Sequence, residues 1–409
     1  MNTRHFVNPL ATCTVAAVVA LATTATASAD SERPVRVGFL TVHSGALAAG
    51  GQQMQDGLDF CLAERDHTMA SRQIQVFVGD TAGQPETTLT RTQEMVERNN
   101  VDVIIGPLAA FEALAIDDYV RRAEVPTISP SAGAEDMTQR KPNPWFVRAV
   151  GTSAQSAHAL GDYAANELGY ERIAMISDDF AFGHELSAGF QRVFEDAGGE
   201  VVQKLWPPLN VSDYGSYIGQ LDRNVDAVFA GFAGANGVRF LNQYQAYGLK
   251  GRVPVLGHMT TVDEGILHRM GSEAEGVISS GWYTAAIDTP DNREHAEAFY
   301  NEYGYDPGYY VNGAYTACMF LESALEAVDG RVEDKGDFMA ALREVHLDAS
   351  PRGEIRIDRL GNPIMPIYIR RVEEVDGRLQ NVVLHRYDDV SQFWTYDEEW
   401  FLEQPVYSR

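Results

Sequence analysis

Residues 101–138 read VDVIIGPLAAFEALAIDDYVRRAEVPTISPSAGAEDMT. The opening "VDVIIGP" is a nearly continuous β-branched run, as a strand buried on both faces should be. It stops in Gly-Pro and a string of very small side chains. "FEALAIDDYVRRAEV" follows as a helix, "PTISP" as the next strand, and "SPSAGA" as a second small-residue corner, behind which another helix is expected. This alternation of strand, corner and helix is the signature of a parallel sheet with helices on its faces.

The same grammar extends in both directions. Toward the N-terminus stand the strand "VRVGFL", the helix "QQMQDGLDFCLAERD" with Met54, Leu58, Cys61 and Leu62 at helical spacing, and the strand "IQVFVGD". The helix "PETTLTRTQEMVERNN" places Pro in its first turn and turns Leu89 and Val96 inward. A second series begins at "RIAMISDD" and runs through strands "EVVQKLW", "DAVFAGF" and "VPVLGH". Helices "GHELSAGFQRVFEDAGG", "YGSYIGQLDRN" and "NGVRFLNQYQAYGLKG" separate them. The expected fold class is therefore α/β, with two doubly wound parallel-sheet lobes.

Composition narrows the function. The chain has 409 residues, more than one core comfortably holds, and a formal charge of −26. Such acidity argues against nucleic acid and against anionic membrane surfaces. The first 29 residues carry a basic Arg4, the apolar "VAAVVALA" and the A-x-A pattern Ala27-Ser28-Ala29, the marks of a cleaved secretory signal. A soluble extracytoplasmic protein is expected. Cys61 and Cys318 remain after cleavage; in an exported protein they could pair, or each could be a buried free thiol within a helical pattern.

Catalytic signatures are missing. No G-x-S-x-G elbow, H-E-x-x-H or phosphate loop occurs, and Gly231, Gly234 and Gly237 lack dinucleotide spacing. His43, His258 and His268 do not have metal-ligand spacing, and the adjacent pairs Asp117-Asp118 and Asp178-Asp179 point apart. No enzyme activity, metal or cofactor is expected. In open α/β sheets ligands sit beyond the carboxyl ends of the strands. Here those ends are small-residue corners, and a helix N-terminus there suits a carboxylate, because unsatisfied N–H donors and a partial positive charge face it.

"VRVGFLTVHSGALAAGGQQMQDGLDFCL", the 101–138 stretch, "DDFAFGHELSAGFQRVFEDAGGEV" and "YYVNGAYTACMFLESAL" together resemble the solute-binding proteins of branched-chain amino acid-type ABC importers, the type I periplasmic binding proteins. The resemblance implies two lobes joined by three hinge crossings near 148–152, 281–286 and 347–355. The first lobe would comprise 34–149 and 286–348, the second 150–284 and 352–409, with the ligand in the cleft between them. Family members hold a ligand carboxylate at the positions matching Ala109, Ala110 and Ser131, Ala132 and Gly133. Aromatic wall positions match Phe182 and Phe232. The acid that receives an amino acid's ammonium falls at or beside Met259, where this chain has none, so an α-amino acid fits poorly. Phe111, Phe180, Trp282, Tyr283 and Tyr310 could complete an apolar wall, and His43, Ser44 and His258 stand at predicted strand ends. The tail from Val390, "VSQFWTYDEEWFLEQPVYSR", resembles the subgroup associated with aromatic and other organic acids. The implied function is a monomeric periplasmic subunit that captures a small organic acid, an aromatic carboxylate above all, by hinge closure and delivers it to an ABC permease. An amino acid binder or a ligand-sensing module of the same fold is the alternative.

Overall fold

The computed structural model describes residues 1–3 and 33–404, so the expected signal segment, apart from its first three residues, lies outside the described residues. The first sheet contains β1 (Val35–Thr41), β2 (Thr68–Met69), β3 (Arg72–Asp80), β4 (Val103–Ile105), β5 (Thr127–Ser129) and β6 (Phe146–Arg148), in the order β2-β3-β1-β4-β5-β6. Only the short β2–β3 pair is antiparallel. Helices α1 (Ala48–Glu64), α2 (Pro85–Glu97) and α3 (Ala110–Ala123) make the crossovers. Parallel strands cannot be joined by a tight turn, and covering helices bury both faces; β4 and β5 are accordingly buried at every residue.

The second sheet repeats the plan. Its strands β7 (Arg172–Ser177), β8 (Glu200–Leu205), β9 (Ala227–Gly231), β10 (Val255–His258) and β11 (Ile278–Gly281) run parallel in the order β8-β7-β9-β10-β11. The helices are α4 (Gln155–Asn166), α5 (Ala181–Asp196), α6 (Gly215–Gln220), α7 (Ala235–Ala246) and the short α8 (Glu264–Leu267). Leaving out β2, the five main strands of each sheet share one winding order. Beyond β11 this sheet turns antiparallel through β12 (His346–Leu347), β13 (Ile355–Ile357) and the long hairpin β14 (Pro363–Val375) and β15 (Arg378–Val390).

Between β11 and β12 the chain returns to the first lobe as α9 (Pro290–Tyr303), α10 (Tyr309–Ala327) and α11 (Lys335–Arg343). Phe299 of α9 meets Phe60 of α1 edge to face, and α10 is bonded to α1 by a Cys61–Cys318 disulfide. The two cysteines are thus paired. One expectation fails locally: behind "SPSAGA" there is a single 3-10 turn, Glu135–Thr138, in place of a helix. Pro142 and Pro144 follow within two turns, and proline both lacks the N–H and restricts its predecessor.

Candidate functional site

Two corners of the first lobe face the second lobe. At the first, Ala109 is extended and α3 starts behind it. Glu112, fully buried, reaches back to accept the Ala109 N–H at 2.8 Å and is held by the hydroxyls of Thr81 and Thr88. This is half of a capping box, since Ala109 has no side-chain oxygen to reciprocate. Burial raises the Glu112 carboxyl. The Ala109 amide is therefore spoken for within the protein.

The second corner is built differently. Each of its carbonyls is tied to a donor within the protein. Tyr309 Oη donates to Ser131 O at 2.6 Å, Ser129 Oγ and Arg148 Nε to Ala132 O, Ser153 N and Oγ to Gly133 O, and Arg148 Nη2 to Ala134 O. In a planar trans peptide the N–H points opposite to the preceding C=O. The amides of Ala132, Gly133 and Ala134 therefore face away from these tethers, and among the described residues none accepts from them. The next amide in the row, Glu135, gives its N–H to Glu185 Oε1 of the second lobe at 3.2 Å. A protein carboxylate thus already sits at the end of this row of donors. Gly133 is needed for a reason other than ligand passage: a Cβ there would stand 2.8 Å from Ser153 N.

The opposing wall is aromatic. Phe180 precedes α5 in extended conformation and stacks on Phe182, ring centroids 5.6 Å apart. Phe111 of α3 meets Phe180 edge-on across the lobes, also at 5.6 Å. Asp178 fixes the neighbouring corner by accepting from Ala233 N and Asn236 Nδ2, and burial pushes its carboxyl up to about 7.

Between these walls lies a narrow cavity. Of the expected residues it is lined by Ala109, Ala110, Ser131, Gly133, Phe180, Phe182 and Tyr310. Leu47, Leu108, Ala233, Thr260 and Tyr309 line it as well and were not anticipated. No Asp or Glu is among the lining residues. The centre of a water molecule can occupy about 30 Å³ of it, room for a water or two. A ring-sized ligand needs the lobes to part. Two wider crevices, about 380 and 320 Å³ by the same measure, open at the side around Tyr300, Asp306 and Arg378, away from the strand ends.

The remaining expected residues stand outside the cavity. His43 and Ser44 are exposed, and the His43 N–H donates to Asp80 Oδ1 at the end of β3. Ala132 is buried with its carbonyl turned to Arg148. Phe232 packs into the second-lobe core against Tyr214 and Phe240. His258 lies one layer back, its ring 5.2 Å from Phe182 and its Nδ1 2.9 Å from Thr260 Oγ1. Burial lowers it to about 3, so it is neutral. Trp282 rests on Tyr309 at 4.9 Å, and Tyr283 turns toward His295. Met259 is buried, with its carbonyl accepting from Arg370 Nη2. The acids nearest in sequence, Asp263 and Glu264, are engaged elsewhere: Asp263 takes the N–H of Gly265 and Tyr309, and Glu264 is paired with Arg370 at 2.8 Å.

A sequence profile of the family described as "Periplasmic binding protein" matches residues 34–378. Among solved structures, an ABC transporter substrate-binding protein from Sphaerobacter thermophilus is 34% identical, with 88% of this chain and 99% of that chain covered and a TM-score of 0.83. A solute-binding protein of an ABC transporter from Rhodopseudomonas palustris BisB5, solved in complex with 3,4-dihydroxybenzoic acid, is 31% identical over 88% of this chain and 98% of that one, with a TM-score of 0.84. The Leu/Ile/Val-binding protein homolog 6 of Brucella melitensis is 26% identical over 357 residues, 86% of this chain and 90% of the relative.

Proposed function

The chain belongs to the periplasmic binding protein family and is an ABC transporter solute-binding protein rather than an enzyme, and on that premise we propose that its cargo is a small aromatic carboxylate. The observation that carries this reading is the row of idle amides from Ala132 to Ala134, opposite the stacked rings of Phe180 and Phe182. The amides and the Ser131 hydroxyl suit the carboxylate, and the rings suit an apolar body. Membership implies a periplasmic location and a cognate permease, to which the closed, loaded form is delivered. The lobes must part to admit a ring and then close on it, because only a state with both walls in contact senses the whole ligand.

The amino acid reading is supported by the names of curated relatives, the Brucella and Rhizobium Leu/Ile/Val-binding proteins among them. It needs an acid to meet the ammonium, and the lining supplies none. Calorimetric titration with benzoate, 3,4-dihydroxybenzoate and leucine separates the two. The expected result is saturable binding of an aromatic acid, with stabilisation of roughly 2.7 kcal/mol at a hundredfold excess over Kd, and no response to leucine. Leucine binding without any response to the acids overturns the reading.

A further inference from the structure

Glu185 shares the row of amides with the ligand. Its Oε1 takes the Glu135 N–H, one residue past the three idle amides, and the bond crosses from the second lobe to the first. Its Oε2 is buried with no hydrogen-bond partner. The Glu135 carboxyl stands beside it, so closing the lobes brings two carboxyls together next to the place proposed for a third. Resting on the carboxylate reading above, we propose that Glu185 gates the anion site, and that the cleft closes on an acid only with a proton on the Glu135–Glu185 pair.

The surrounding groups set the size of the effect. Arg148 on β6, Arg140 beyond the 3-10 turn and Arg192 on α5 face the pair, along with the hydroxyl of Ser153 and the amide of Gln139. His158 on α4 contributes no charge, since burial and then Arg192 lower it to about 3. Arg148 is already committed to Ala132 O, Ala134 O, Thr138 and Asn362. The cations therefore temper the repulsion without donating to the free Oε2. Burial and then its neighbour Glu135 drive Glu185 well above the ordinary range. With the lobes apart both carboxyls are hydrated and ionised at neutral pH, so closure takes a proton from solvent. Repulsion between ligand and gate grows when that proton is withheld.

The test is titration calorimetry of the full chain with benzoate, or with whichever aromatic acid binds, at pH 7.5 in two buffers of different ionisation enthalpy. Net uptake approaching one proton per ligand is expected, with affinity falling up to tenfold per unit as pH rises further. Glu185→Gln keeps an oxygen for the Glu135 N–H and carries no charge. It should remove the proton uptake, flatten the pH profile and bind the acid at least tenfold tighter than wild type at pH 8.5, with a smaller gain for the amide benzamide, which closes the same pair but brings no third negative charge. A wild-type titration without proton uptake overturns the gate, as does a Glu185→Gln profile that still falls with pH. If leucine binds and the aromatic acids do not, the aromatic-acid reading fails on its own. The same pH series with leucine then decides the gate independently, since leucine also carries a carboxylate. Should Glu185→Gln fail to fold, the two-buffer measurement on wild type still decides.

Discussion

The two walls of the cleft recognise by opposite means. In the first lobe the working surface is main chain: side chains are small, carbonyls are tethered within the protein, and amides are left without a protein acceptor. In the second lobe it is side chain, the stacked Phe180 and Phe182 backed by His258. The two sheets share one winding order, but the backbone corner follows its fourth main strand, β5, and the aromatic corner follows its first, β7. The filling differs too. A backbone wall is damaged by adding atoms, and a side-chain wall by removing them.

The largest effect should therefore come from an added group on the backbone side. Gly133→Val places carbon against Ser153, where even a bare Cβ would be 2.8 Å from the nitrogen. Binding should disappear, with a stability cost of about 1–3 kcal/mol from overpacking; calorimetry and a melting curve measure the two separately. A folded Gly133→Val protein that binds normally would end the backbone account of this wall.

Removal on the aromatic side comes next. Phe182→Ala should weaken binding by about 1–3 kcal/mol through lost apolar contact and stacking. Because its ring also covers His258, Tm should fall too. An unchanged Kd would mean that the ring is core alone. Ser131→Ala removes a donor without altering the corner, and should cost roughly 1.5–3 kcal/mol if its hydroxyl meets the charged group directly. An effect below that range leaves the amides as the main donors and sharpens the contrast between the lobes.

The smallest expected effect concerns the contact between the walls. Burial raises Glu135 from 4.5 to about 7 and Glu185 in the same direction. A carboxyl raised in the folded state contributes stability below its unfolded value, and loses it as pH climbs through the folded value. Wild-type Tm should accordingly decline more steeply between pH 5 and 8 than that of Glu185→Gln, as scanning calorimetry across that window would show. Parallel curves would mean that the pair stays ionised when buried.

How much of this could be read from the sequence follows the same division. Continuous apolar runs such as Val103–Ile105 and Ala227–Gly231 announced strands buried on both faces, and two tandem series of strand and helix carried the two-lobe plan. The hairpin β14–β15 was missed, because β15 is largely exposed or half-exposed without a clean period, and β14, though mostly buried, carries the charged pairs Arg370-Arg371 and Glu373-Glu374. At the site, Ala109, Ala110, Ser131 and Gly133 were legible as small residues at strand ends, and Phe180 and Phe182 as aromatics opening a helix. Phe232 carried the same signal but turns into the core beside Tyr214. Tyr309 was passed over for its neighbour Tyr310, although both line the cavity. Nothing in local pattern says which way the first residue of a helix turns. The Glu135–Glu185 contact joins residues fifty positions apart across two lobes, beyond the reach of any local rule.

The disulfide has a bearing on what happens when the chain is cut. Cys61 and Cys318 are 257 positions apart, and all five parallel strands of the second sheet lie inside the ring they close. A single proteolytic nick anywhere between the two cysteines opens that ring into two arms that stay covalently joined. The nicked protein should run as one species on a non-reducing gel and part into two when a thiol is added. Outside the ring, after Cys318, the segment leading to β13 and the β14–β15 hairpin have no such safeguard, and a cut there releases the C-terminal piece to whatever noncovalent packing can retain.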